Sequence, residues 1–370
     1  MELNSRRRRF VLGSAALFAQ FGLPQSALAQ SLKPGAVPAV DTLTIKVLTD
    51  SSYDTPRPGA SKWVKIKRSS ISSPIEVRRT TLHSEWGLAL ALESRRGSET
   101  RNLMLDYGYT PAALMNNMEI MGVDGGKVQG MILSHGHFDH FGGLIGFLQT
   151  YRNKLPTDLT LYVGGEDNFC TRKVGTSTPG VLADWGTLDR RELEALKVGI
   201  VYCQQPTVIA DHAFTTGTIS RRSFEKVLPG NPVEYSKKNG LGCDIPAANA
   251  KAQGKPVHDE HLDEHGTCFN IKDRGLVVIS SCGHVGIVNT VRQAMEVSGI
   301  SKVHAIMGGF HLFAADDDYV RRIVAELKTL DPDVIIPMHC SGPGFIEAVR
   351  TQMADRLVTS TTGTEFQFGA

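Results

Sequence analysis

The chain has 370 residues, 41% hydrophobic and 21% charged, with a formal net charge of +2. That is ordinary composition for a soluble globular protein, with enough length for one large or two medium domains and a sizeable core. Without residues 1–29, which hold Arg6, Arg7, Arg8, Arg9 and Glu2, 36 basic residues face 37 acidic ones, and this near-neutral balance argues against nucleic acid or an anionic membrane surface as the main partner.

The N-terminus reads as a targeting segment. Arg7-Arg8-x-Phe10 has a twin-arginine look and leads into a weakly apolar run, Ala15 to Ala19; Ala27-Leu28-Ala29 forms an A-x-A cleavage site. The run is short and broken by Gln20, Gly22 and Pro24, so a membrane anchor is not expected, and no other stretch approaches membrane-spanning length. We therefore expect a signal peptide over 1–29, a linker over 30–41, a folded domain over 42–370, and twin-arginine export to a periplasm. That route carries folded proteins, which suits a protein loaded with metal before it leaves. The six cysteines (170, 203, 243, 268, 282 and 340) show no spacing from which pairing can be read.

In chain order, Thr42 to Thr49 alternates as a strand and ends at Asp50. Residues 54–79, rich in Pro, Ser and basic side chains, read as an insertion. His83 and Glu85 precede a strand from Leu88 to Glu93, and a further strand runs from Asn102 to Asp106. A helix is expected from Pro111 to Met121, with Leu114, Met115, Met118 and Met121 on one side. The apolar run Gly130 to Leu133 then delivers Ser134-His135-Gly136-His137-Phe138-Asp139-His140-Phe141-Gly142-Gly143, followed by a helix from Leu144 to Tyr151. After a strand at 159–163, residues 168–180 look turn-rich, 188–196 helical and 199–202 extended. The stretch 220–256, rich in Gly, Pro, Asn and Lys, reads as a lid over a pocket or a disordered insertion. A hairpin over 268–280 is capped by Cys282-Gly283-His284; helices are expected at 288–297, 316–330 and 345–353, and strands at 303–307, 333–338 and 365–368. Two of these strands end at Gly308-Gly309-Phe310-His311 and at His339.

Imidazole nitrogen and carboxylate oxygen are the donors that a Zn²⁺-type or Fe-type ion accepts. His135 and His137 alternate around a glycine, so one extended turn can aim both at one ion, while Asp139 and His140 can serve a second. His284 and His339 repeat the pattern of a histidine after a buried strand and are taken as further ligands. His311, Glu85, Asp50 and His265 are candidates for contacting substrate or orienting a ligand. His265 belongs to the patch His258 to His265, which otherwise reads as a solvated acidic loop.

H-x-H-x-D-H followed by Gly-Gly resembles the signature of the metallo-β-lactamase fold superfamily. The segments Leu105 to Gly108, Ser281 to Thr290, Gly308 to Leu312 and Pro337 to Gly342, taken with the cluster, resemble one branch of it. That branch is typified by the archaeal 7,8-dihydropterin-6-methyl-4-(ribofuranosyl)aminobenzene 5′-phosphate synthase. The resemblance spans residues 43 to 368 and implies a four-layer α/β/β/α sandwich. It also implies two divalent metal ions, most simply Zn with Fe or Mn as alternatives, held by His135, His137, Asp139, His140, His284 and His339. The expected function is hydrolysis of an ester, lactone, phosphate ester or sulfate ester in a small-molecule substrate, using metal-activated water with Asp139 as a catalytic proton acceptor. A pterin-linked transferase like the branch namesake and a non-catalytic metal-binding protein are the alternatives.

Overall fold

The computed structural model describes residues 32, 36–54, 60–69, 81–244 and 252–369. The expected export segment lies outside these residues, as do parts of the expected linker and of both insertions.

Two large sheets face each other. The first has eight strands in the order Gly199–Tyr202, Thr160–Val163, Gly130–Leu133, Glu99–Leu105, Ala89–Arg96, Thr42–Thr49, Thr364–Gly369 and Lys65–Arg68. Its first four strands are mutually parallel and the rest antiparallel. The second has seven: Val208–Ile209, Ala213–Thr215, Thr267–Ile271, Gly275–Ser280, Val303–Gly308 and Val334–Pro337 in order, with Ala39–Val40 parallel to Thr267–Ile271.

Period-two alternation builds the layers. Leu43, Ile45, Val47, Leu103, Leu105 and Ile132 point inward and pack with Phe269, Val277, Ile279, Met307 and Ile336 of the facing sheet. Their neighbours Leu48, Met104, Met131 and Leu133 point outward, against the helices Pro111–Ile120 and Leu144–Tyr151. On the other side Leu276, Val278, Ile306 and Ile335 pack under Ile287–Ser298, Asp317–Leu330 and Pro343–Gln352. Full burial of each such side chain contributes roughly 1.5–3 kcal/mol. The helix ends follow local chemistry: Thr110 caps the first, with Pro111 at its first position, and Asp316 accepts from Tyr319 N at 2.8 Å at the start of Asp317–Leu330.

Four expectations are corrected. Residues 39–40 belong to a strand rather than a linker. Lys65–Arg68, inside the expected 54–79 insertion, is an edge strand of the first sheet. The turn-rich reading of 168–180 misses Thr171–Gly175, which pairs with Leu182–Gly186. The described part of 220–256 supplies Val233–Glu234 and Pro256–Val257 to that same small sheet and a hairpin over 237–242, and a disulfide joins Cys170 to Cys243.

The strands Thr42–Thr49, Glu99–Leu105 and Gly130–Leu133 run in one direction, as do Gly275–Ser280, Val303–Gly308 and Val334–Pro337. Their C-terminal ends deliver Asp50, Asp106, His135, His284, His311 and His339 to one rim.

Candidate metal centre

His135 and His137 leave the strand Gly130–Leu133 on an extended turn; Asp139 and His140 sit on the one-turn helix Phe138–Phe141 behind it. Gly142 and Gly143 let this turn lie directly on the backbone carbonyls of Tyr109 and Tyr107, where any Cβ would collide. Tyr107 N donates to His140 O at 2.7 Å, fixing the helix turn to the neighbouring strand end.

The side chains converge as two trios. Ligand atoms of His135, His137 and His284 all lie within 4.8 Å of one another, and so do those of Asp139, His140 and His339. The trios touch, with the His135 and His140 rings 4.3 Å apart. All six side chains are buried or nearly so. Nε2 of His135, His137 and His140, both ring nitrogens of His284 and Oδ1 of Asp139 have no hydrogen-bond partner among the described residues. An unpaired buried polar atom costs about 1–3 kcal/mol, so this many at one spot fits donors arranged for cations. Burial, and then the neighbouring histidines, hold His135, His137 and His284 well below the ordinary histidine pKa, which keeps their lone pairs free. Burial opposes charge on His339 as well, but Cys340 and Asp139 hold its pKa well above the ordinary value. Its Nε2 lies 3.4 Å from Asp139 Oδ2.

A further layer aims these rings. Asp106 accepts from His140 Nδ1 at 2.7 Å, from Ser134 Oγ at 2.8 Å and from Ser134 N at 2.9 Å. Ser134 Oγ lies 3.0 Å from His135 Nδ1. Both rings are thereby turned with Nε2 toward the centre. Asp50 Oδ1 accepts from His339 N at 2.8 Å and so holds the backbone of His339 in place.

The expected solvated loop at 258–265 is corrected most sharply. Asp259, His261, Asp263, Glu264 and His265 are all buried. Arg172, itself buried, pairs with Asp259 (Nε to Oδ2, 2.8 Å) and Asp263 (Nη2 to Oδ2, 3.1 Å). Asp263 in turn accepts from Gly136 N at 2.8 Å. A Cβ at Gly136 would lie 2.5 Å from Arg172 Nη1, so the glycine between the first two histidines makes room for this arginine. Glu264 accepts from His284 N at 3.0 Å and Val285 N at 2.8 Å, and burial pushes its carboxyl up to about 7. His265 is not brought to the trios: its Nε2 bonds Leu133 O at 3.0 Å. Instead His261 stacks on His284, with centroids 3.7 Å apart and planes within 5°. The sequence reading missed His261, Asp106 and Arg172. The signal for Asp106 was its place at a strand end ahead of Tyr107-Gly108.

Glu85 joins neither trio. It accepts from Thr110 N at 2.9 Å and bonds Thr110 Oγ1, bracing the start of Pro111–Ile120. His83 is exposed. His311 packs its ring 4.0 Å from that of His284. At the mouth, Trp86 is 47% exposed with its ring 5.0 Å from His339, Phe313 is 51% exposed and edge-on to Trp86, and Trp185 lies 5.2 Å from His137.

The family model described as the metallo-beta-lactamase superfamily matches residues 95–166, the segment that carries the H-x-H-x-D-H cluster. Over this segment the chain is similar to the metallo-β-lactamase superfamily. The 7,8-dihydropterin-6-methyl-4-(β-D-ribofuranosyl)-aminobenzene-5′-phosphate synthase of Methanocaldococcus jannaschii is 29% identical over 262 residues, covering 70% of this chain and 82% of that protein. An uncharacterized protein of the same organism is 26% identical over 244 residues, covering 65% of this chain and 80% of its own. In fold the chain is similar to Tm1679, a metal-dependent hydrolase of the β-lactamase superfamily. The TM-score is 0.62 at 20% identity, over 87% of this chain and 98% of that one. The four layers are thus those of the metallo-β-lactamase fold.

Proposed function

We propose that this protein is a metal-dependent hydrolase that binds two divalent ions, one at His135, His137 and His284 and the other at Asp139, His140 and His339. The observation that carries the reading is the pair of touching trios with their unpartnered nitrogens and carboxylate oxygen. The donor set, imidazole with one carboxylate, suits Zn²⁺, with Fe or Mn as alternatives. Two such ions supply Lewis acidity to an ester, lactone, phosphate or sulfate oxygen and acidify water at neutral pH.

The chain's own residues do the rest. Asp139 has two carboxylate oxygens, so one can hold an ion while the other takes the proton released when water attacks. Asp106, Asp50 and Glu264 hold His140, His339 and His284 in place through reaction. Trp86 and Phe313 shield the mouth and offer an apolar surface to a small-molecule substrate. Nucleic acid is not the partner we propose, given the near-neutral charge outside residues 1–29. Among the described residues no helix is long and apolar enough to cross a membrane.

One observation favours a second reading. The similarity to the archaeal synthase covers 82% of that protein, which supports a group-transfer reaction on a pterin-like substrate at the same residues. Metal analysis of the purified protein, with a screen of ester, lactone, phosphate, sulfate and β-lactam substrates, tests the first reading. We expect about two ions per chain by the two-trio count, and turnover lost in His137→Ala. Less than one ion per chain, with turnover unchanged in His137→Ala, would sink it; metal without hydrolysis of any substrate would favour the second.

We further propose export to the periplasm by the twin-arginine route. The Arg7-Arg8-x-Phe10 segment and the A-x-A site support it, and so does the Cys170–Cys243 disulfide, which an oxidising compartment preserves.

A further inference from the structure

Cys282, His311 and Cys340 follow three adjacent strands of the second sheet and form another group of donor atoms within 4.8 Å of one another. Cys282 Sγ lies 3.2 Å from Cys340 Sγ and 3.6 Å from His311 Nδ1. His311 N donates to Cys340 Sγ at 3.3 Å. Cys282 is 2% and Cys340 1% exposed, and neither is in a disulfide. His311 has φ 49°, a backbone conformation that non-glycine residues seldom adopt, and it is in this conformation that its Nδ1 comes within 3.6 Å of Cys282. Trios of nitrogen and oxygen donors already lie beside this group, but two of its own three donors are sulfur.

We propose that Cys282, His311 and Cys340 bind a thiophilic cation of the Zn²⁺ class, at a site chemically distinct from the two histidine-rich trios. Thiolates select soft or borderline ions, where imidazole and carboxylate accept a wider range. Bonds of roughly 2.3 Å to sulfur and roughly 2.0 Å to nitrogen around a tetrahedral ion set a sulfur and a nitrogen roughly 3.5 Å apart and two sulfurs roughly 3.8 Å apart. The sulfur–nitrogen spacing of 3.6 Å matches, and the two sulfurs, now 3.2 Å apart, would separate slightly on binding. Both cysteines bind as thiolates, so together with a divalent ion they form a neutral unit. That neutrality matters, because Cys282 Sγ also lies within 4.8 Å of donor atoms of His135 and His140. A neutral unit adds little repulsion to cations held there. The ion would tie together the strand ends that carry His284 and His339, two residues after Cys282 and one before Cys340.

The test uses the full chain, purified without chelator and with its thiols kept reduced, then loaded with Cd²⁺ alone. We expect ultraviolet thiolate-to-cadmium charge-transfer absorbance that is lost in Cys282→Ser and in Cys340→Ser. It should persist in Cys268→Ala, which removes a buried thiol elsewhere, and in His137→Ala, which breaks a histidine trio. Cadmium NMR of the unsubstituted protein gives the same answer without any variant, through a resonance shifted by sulfur ligation. Only nitrogen- and oxygen-type resonances, an absorbance unchanged in both Ser variants, or Cys282 and Cys340 recovered as a disulfide from the reduced, cadmium-loaded protein would overturn the site. Loss of hydrolysis with the sulfur signals intact bears on the proposed hydrolase and leaves this site standing.

Discussion

At the scale of single residues, the proposed metal centre depends on groups outside its two trios. Asp106 collects three hydrogen bonds, one from the His140 ring and two from the residue before the first histidine. Asp106→Asn keeps the shape but removes the charge that holds Nδ1–H of His140 in place. We expect metal affinity and kcat/KM each to fall about 10–100-fold with the fold intact, measured by chelator competition and steady-state kinetics. Asp167 offers a prediction in pH. Burial, and then the neighbouring Asp263, push its carboxyl up to about 7 from an ordinary 3.8. A carboxyl whose folded pKa is raised binds a proton in the folded state that the unfolded chain has already lost. Its favourable contribution is therefore complete below about pH 4 and disappears as pH rises through about 7. Asp167→Asn removes that dependence. The variant should gain about 2–4 kcal/mol over the wild type above pH 8 relative to the difference at pH 4, read from urea midpoints at the two pH values.

At the scale of elements, the bracket formed by residues 259–265 decides where both histidine loops sit. It holds Gly136 through Asp263, His284 through Glu264 and Leu133 through His265, and Arg172 pins it from the strand Thr171–Gly175. Arg172→Met would leave Asp259 and Asp263 buried without their cation. We expect a loss of about 3–5 kcal/mol in stability, with amide exchange speeding up at 259–265 and 134–137 before the strands, measured by hydrogen–deuterium exchange. This bracket also marks the boundary of what the sequence makes legible. A strand that ends in histidine is a local pattern, and the ends at His135, His284 and His339 are visible without partners. The patch from His258 to Glu264 has the acidic, polar composition of a solvated turn. Only its pairing with an arginine 87 residues earlier buries it, and no local period records that pairing. The small sheet was hidden for a related reason: two of its strands have two residues each, too short for alternation to show.

At the scale of the whole molecule, the four layers follow from alternation within the strands, while the small sheet is an addition held by the Cys170–Cys243 disulfide. That bond closes a loop of 73 residues, and loop closure of that length stabilises by about 4 kcal/mol in the chain-entropy model. Its dependence on an oxidant links stability to compartment. Protein made without residues 1–29 in a reducing cytoplasm should show free Cys170 and Cys243 by alkylation, and a thermal midpoint lower by several degrees than oxidised protein. The small sheet carries Trp185 to within 5.2 Å of His137, so the same protein should also hold ions at the proposed centre less tightly. The export reading is tested separately with the full chain. Changing Arg7→Lys and Arg8→Lys together should strand the protein in the cytoplasm with those two thiols unpaired. A double variant that still reaches the periplasm with the disulfide formed would rule out the twin-arginine route. It would leave the proposed metal centre standing, because the two trios are placed by the folded strand ends and not by export.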